Sequence, residues 1–154
     1  EADSLTVYGR AVDPPLKGAA GGHLLEVLTG LDLGRLDMRY ALLGLVEPGA
    51  VTGTVEYPRA DRAVVPLSGG RRVWLDMHRG IATRELAVLP GGDALQRELR
   101  DYGRTMAGLY LPRRVEISQR DVALELEYKT YKFDSGLEAE QLQRGLPRGV
   151  VRVP

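Results

Sequence analysis

The stretch Arg114 to Asp134, RVEISQRDVALELEYKTYKFD, decides how the rest of the chain is read. Val122, Leu124, Leu126 and Tyr128 alternate with Ala123, Glu125, Glu127 and Lys129. That two-residue period predicts a strand with one face on an apolar core and the other in water. Just upstream, Val115 and Ile117 alternate with Arg114, Glu116 and Ser118, which predicts a second strand. Gln119-Arg120-Asp121 supplies the short connection of a hairpin. A slip of one residue would turn every apolar side chain outward, so the register is expected to be firm. The function then turns on what lies against the inner face.

Outward from this hairpin, Ser68-Gly69-Gly70, Arg79-Gly80 and Pro90-Gly91-Gly92-Asp93 are turn signals. They delimit strands at Ala63 to Leu67, Arg71 to His78 and Ile81 to Leu89, with a weaker strand over Thr52 to Tyr57. Leu95 and Leu99 have helical spacing, but Ala94 to Met106 sits between two hairpin turns and is read as a strand. Farther upstream, His23, Leu24, Leu25, Val27 and Leu28 predict a short helix closed by Gly30. A second helix is expected over Leu36 to Leu45, stopped by Glu47-Pro48-Gly49. Leu5 to Tyr8 is a short strand, and Asp13-Pro14-Pro15 is expected to interrupt pairing because proline has no amide donor. Leu137 to Arg144 reads as a helix and Val150 to Val153 as extended chain. The fold class is mainly β with short helices (α+β), a meander of antiparallel strands in one domain over residues 1–154.

Composition narrows the function. Lys plus Arg and Asp plus Glu both number 21, so the basic excess of a nucleic-acid binder is missing. One Phe and one Trp leave the core to aliphatic side chains. The absence of Cys excludes disulfides, thiolate metal sites and a Cys nucleophile. No apolar run reaches the length of a membrane-spanning helix, and no signal-peptide pattern stands at the start. The chain begins at Glu1 rather than Met, which is read as a processed form or a fragment.

Residues able to carry chemistry are few. His23 and His78 stand apart, without the spacing of metal ligands, and are read as surface or rim histidines. None of Ser4, Ser68, Ser118 and Ser135 lies in a nucleophile elbow. Glu125 and Glu127 are paired carboxylates on the outer face of a strand, and the glycine-rich segments lack a phosphate-loop Lys. No catalytic residue, metal or cofactor is therefore expected, and the chain is read as a non-enzyme. Arg71-Arg72, Arg113-Arg114 and Arg144 to Arg152 are read as solubilising strand ends, or else as a patch for anionic lipid headgroups or an acidic partner.

The order of elements resembles a known family. Trp74-Leu-Asp-Met77, a turn at Arg79-Gly80 and Arg84 to Leu89 (RELAVL) are followed by Asp101-Tyr-Gly103. Then come Pro112, Val115 and Ile117, next Leu124, Leu126 and Tyr128, and a tail Leu146 to Val150 (LPRGV). With Leu24 to Leu33 and Ala41 to Gly44 upstream, this resembles the C-terminal half of the LolA/LolB-like lipoprotein-carrier superfamily and its bacterial lipoprotein relatives.

The resemblance implies a strongly curved antiparallel sheet, an incomplete barrel, with helices covering its concave face. It also implies that the family's N-terminal helix and strands are missing from this chain. The acylated N-terminal Cys of anchored members is absent. The function implied is binding of a lipid or lipoprotein acyl chain in an apolar cavity. The candidate lining is Val73, Leu75, Leu86, Val88, Val115, Ile117, Leu124, Leu126 and Tyr128, lidded by Leu24, Leu28 and Leu43. The compartment implied is the periplasm or the periplasmic face of the outer membrane, with peripheral membrane association. The alternative is a structural subunit of an envelope complex that recruits a protein partner through its sheet edges.

Overall fold

A computed structural model describes residues 4–9, 12–19, 26–27, 29–32, 37–106, 108–131 and 151–152. In chain order it has β1 (Ser4–Gly9), β2 (Val12–Ala19), the helix α1 (Met38–Leu43), β3 (Glu56–Arg59) and β4 (Arg62–Leu67). There follow β5 (Arg71–Asp76), β6 (Ile81–Val88), β7 (Ala94–Arg104), β8 (Tyr110–Gln119), β9 (Val122–Glu127) and β10 (Val151–Arg152). The mainly β expectation holds: β3 to β9 form one open antiparallel sheet in chain order, every strand hydrogen-bonded to its sequence neighbour. The expected helices at 23–28 and 137–144 lie wholly or partly outside the described residues, although the Gly30 amide closes a helical turn onto the Glu26 carbonyl at 2.7 Å.

A smaller sheet has the order β1-β2-β10, with β10 parallel to β2. Here the expected interruption at Pro14-Pro15 is corrected, since β2 runs through both prolines. Its register against β1 instead slips between Val7 and Gly9, so that Gly9 faces Val12 and Val7 faces Leu16. An irregularity of this kind tolerates residues that cannot donate to a ladder.

The large sheet owes its two faces to alternation. Leu95, Leu99, Val115 and Ile117 are buried together, and Val122, Leu124, Leu126 and Tyr128 pack partly buried against them. Ala123, Glu125 and Glu127 are exposed, as the period of β9 requires. Registry carries this inner face across the sheet, and one row runs Val65, Val73, Glu85, Arg97, Ile117, Leu124.

The alternation slips twice. Trp74 faces Arg84 while Leu75 faces Ala82, which leaves Thr83 as the extra residue of a bulge with its hydroxyl donating to the Trp74 carbonyl at 3.3 Å. On β7, Leu99 and Tyr102 pack on the same core although three residues apart, and the intervening Asp101 has φ +54°.

Helix α1 is six residues long and ends in a Schellman turn. The Leu45 amide donates to the Tyr40 carbonyl at 3.0 Å and the Gly44 amide to the Ala41 carbonyl at 3.3 Å. Gly44 adopts φ +65°, the left-handed conformation such a cap needs. Leu31 and Ala41, both 0% exposed, bring this segment into the same core as β6, β7 and β8.

Candidate functional site

The inner face brings together only part of the expected lining. Val73, Val115 and Ile117 are buried, and Leu75, Leu124, Leu126 and Tyr128 are half-buried on the same face. Leu86 and Val88 are not with them. Both alternate with the buried Glu85, Ala87 and Leu89, and Val88 is 52% exposed. Of the lid residues, Leu43 on α1 is 37% exposed, while Leu24 and Leu28 lie outside the described residues.

The centre of the inner face is polar. Arg97, the middle residue of the Leu95-Arg97-Leu99 run, is 0% exposed and Glu85 on the adjacent strand is 1% exposed. They are direct cross-strand partners and are joined by a salt bridge and hydrogen bond. Glu85 also accepts from Arg71 Nη1 at 3.3 Å, and Arg71 is itself buried. Arg71 was expected at a solubilising strand end; the correction follows from its partners.

These side chains hold backbone. Arg97 Nη1 donates to the carbonyls of Tyr40 at 3.0 Å and Ala41 at 3.2 Å, and its Nη2 to that of Leu45 at 2.9 Å. Arg71 Nη2 reaches the carbonyls of Glu47 at 3.0 Å and Pro48 at 3.4 Å. The Tyr128 hydroxyl donates to Leu42 at 2.5 Å, and Gln119 Oε1 accepts from the Asp32 amide at 2.9 Å. The last carbonyls of a helix have no partner within it and form its negative pole, so a buried guanidinium meets both needs there. Segment 40–48 is thus docked by hydrogen bonds from the sheet as well as by Ala41 and Leu42 packing.

Burial also sets the phenols. The Tyr102 hydroxyl donates to the Ala82 carbonyl at 2.5 Å, and desolvation pushes its pKa up to about 12, partly offset by the Arg97 charge. Tyr128 is raised for the same reason, burial. Both therefore stay neutral donors at any ordinary pH.

Glu85 and Arg97 have no role in the sequence reading, and Gln119, expected in the hairpin connection, is instead the last residue of β8, paired with Val122; a signal for all three existed. Each stands at an inward position of a strand, between or beside apolar residues two positions away. Opposite charges at inward positions of consecutive strands, Glu85 and Arg97, predict a buried pair. Among the described residues no group of three or more His, Cys, Asp or Glu is placed to hold a metal ion.

No protein-family model, curated protein or solved structure matches this chain. The likeness to lipoprotein carriers therefore stands on the sequence pattern.

Proposed function

We propose that the chain binds a lipid or lipoprotein acyl chain on the inner face of its seven-stranded sheet. In this reading the sheet is the curved, incomplete barrel of a LolA/LolB-like carrier, acting in the bacterial cell envelope on the periplasmic side. The action is binding without chemistry. The observation that carries the reading is the half-buried apolar row Val122, Leu124 and Leu126 on β9, continuous with the buried Val115 and Ile117. Leu31 and Ala41 already fill the middle of the face, so the acyl chain lies beside α1 along this row.

Magnitudes are adequate for a carrier. Six methylenes withdrawn from water contribute about 5 kcal/mol, a submillimolar affinity before any headgroup contact.

The test is titration with a fluorescent fatty acid, together with mass spectrometry of a solvent extract of the purified protein. Saturable binding that Leu124→Glu and Leu126→Glu each weaken at least tenfold is expected. Absence of both copurified lipid and probe binding would remove the proposal. Partner recruitment through sheet edges has less support. Edge strand β3 is four residues long and contains Pro58, and edge strand β9 carries Glu125 and Glu127, features that discourage strand addition.

A further inference from the structure

The β7–β8 hairpin ends in a turn between Arg104 and Tyr110. Thr105 organises it: its amide donates to the Leu109 carbonyl at 2.8 Å, its carbonyl accepts from Gly108 at 2.9 Å, and its hydroxyl accepts from the Leu109 amide at 3.1 Å. On this braced turn Met106 is fully exposed, and Leu109 and Tyr110 are each about half exposed. Three large apolar side chains thus stand on one hairpin end, Tyr110 with its ring stacked on Tyr102 at 6.1 Å between centroids, and such a grouping marks a surface suited to an apolar partner.

Beside them lies a cavity of about 200 Å³, bordered by Arg104, Met106, Arg113, Lys129, Thr130 and Tyr131. Arg113 crosses the hairpin over Gly103, where a Cβ would come within 2.7 Å of its Nε. Among the described residues no carboxylate pairs with Arg104, Arg113 or Lys129. Elsewhere on the sheet Arg71, Arg97, Arg100, Arg114 and Arg120 have carboxylate partners, while Arg59, Arg72 and Arg84 have none among the described residues but stand singly on separate strands. Met106 borders both the cavity and the apolar tip, so the two features form one surface.

We infer that this hairpin end is a docking surface for an anionic lipid bilayer, with Met106, Leu109 and Tyr110 entering the interface and Arg104, Arg113 and Lys129 receiving a phospholipid headgroup phosphate. Charge complementarity selects the occupant: three cations without a carboxylate partner among the described residues, beside an apolar tip, match a layer that is negative at its surface and apolar just beneath it. The inference goes beyond the acyl-binding proposal and does not rest on it, because no residue of the β9 row takes part.

The experiment is sedimentation of the full chain with sucrose-loaded vesicles of phosphatidylcholine alone, or with about a third phosphatidylglycerol added. Binding to the phosphatidylglycerol vesicles is expected, weakening as salt rises to about 0.5 M. Replacing Arg104, Arg113 and Lys129 together by Gln should weaken it on the order of a hundredfold, at roughly fivefold per charge. Met106→Ser with Leu109→Ser should weaken it by roughly tenfold while keeping the salt dependence. Equal binding to both vesicle types, no binding to either, or full binding by the triple variant would each overturn the inference, as would cosedimentation that depends on an added protein. Fatty-acid titration of the same variants separates the two proposals. Unchanged probe binding with lost vesicle binding in the triple variant leaves both sites standing as separate surfaces, whereas a wild-type chain that binds anionic vesicles but no fatty acid leaves only the docking surface.

Discussion

Arg97 presents no surface to solvent, yet it makes a salt bridge to Glu85 and three hydrogen bonds to main-chain carbonyls between residues 40 and 45. A buried pair of this kind is weak evidence of net stabilisation, because desolvation offsets most of the attraction, but breaking it is costly. Arg97→Met leaves Glu85 with Arg71 alone and should cost about 3–5 kcal/mol. Adding Glu85→Leu removes the stranded carboxylate, and the double variant should recover much of that, leaving about 1–3 kcal/mol for carbonyls that lost their donor. Urea unfolding measures both, and a single-variant loss below about 1 kcal/mol would exclude the clamp. A second residue sets an acid limit. The Arg79 amide and then its guanidinium hold Asp76 below its ordinary 3.8. The folded state thus binds that proton less readily than the unfolded chain, so the stabilisation is present above pH 3.8 and is lost as pH falls through the lower folded value. Asp76→Asn should lower stability at neutral pH and flatten the acid limb of the stability curve. An unchanged acid limb would show that other carboxylates set it.

Among the elements, α1 and β8 are fitted by one glycine. A Cβ on Gly44 would lie 2.5 Å from Pro112 Cγ and 2.7 Å from Val115 Cγ2, and its φ is already left-handed at +65°. Gly44→Ala should therefore cost about 2–4 kcal/mol, strain and overpacking together. Gly69→Ala is the control: φ is +78° but nothing lies within 4 Å of a Cβ, so only backbone strain of about 1–2 kcal/mol is expected. Equal losses in calorimetry would mean that α1 is not packed on β8 as described. The strands were legible because alternation and turn glycines are local signals. Val115, Ile117, Val122, Leu124 and Leu126 all fall on the face their period assigns. The contents of that face were much less legible. Glu85 and Arg97 become partners only through the β6–β7 register, 12 residues apart in sequence, and the carbonyls that accept from Arg97 lie more than 50 residues upstream. Leu86 and Val88 were assigned to the lining without the one-residue slip at Thr83 on β6, where Leu75 comes to face Ala82. The candidate site was thus readable from Val115 through β9, where alternation is unbroken, and misplaced on β6.

At the scale of the molecule, a sheet in which β3 to β9 pair strictly in sequence order has a middle and two ends, and its stability should be graded accordingly. The middle, β6 to β8, carries the buried Ala87, Leu95, Leu99, Val115 and Ile117, with Arg97 and Glu85 beneath segment 40–48. The ends differ. All four residues of β3 are exposed, whereas β9 keeps one half-buried apolar row. Native-state hydrogen exchange should find the slowest amides in β7 and β8, intermediate rates in β9 and segment 40–48, and the fastest in β3. If an acyl chain lies along Val122, Leu124 and Leu126, saturating fatty acid should slow exchange in β9 and in segment 40–48 while leaving β3 and the β7–β8 turn unchanged. Anionic vesicles should do the opposite, protecting the turn around Thr105 and sparing β9. A fatty acid that protects the whole sheet uniformly would indicate global stabilisation by mass action instead of a chain seated on one edge, and would move the ligand away from β9.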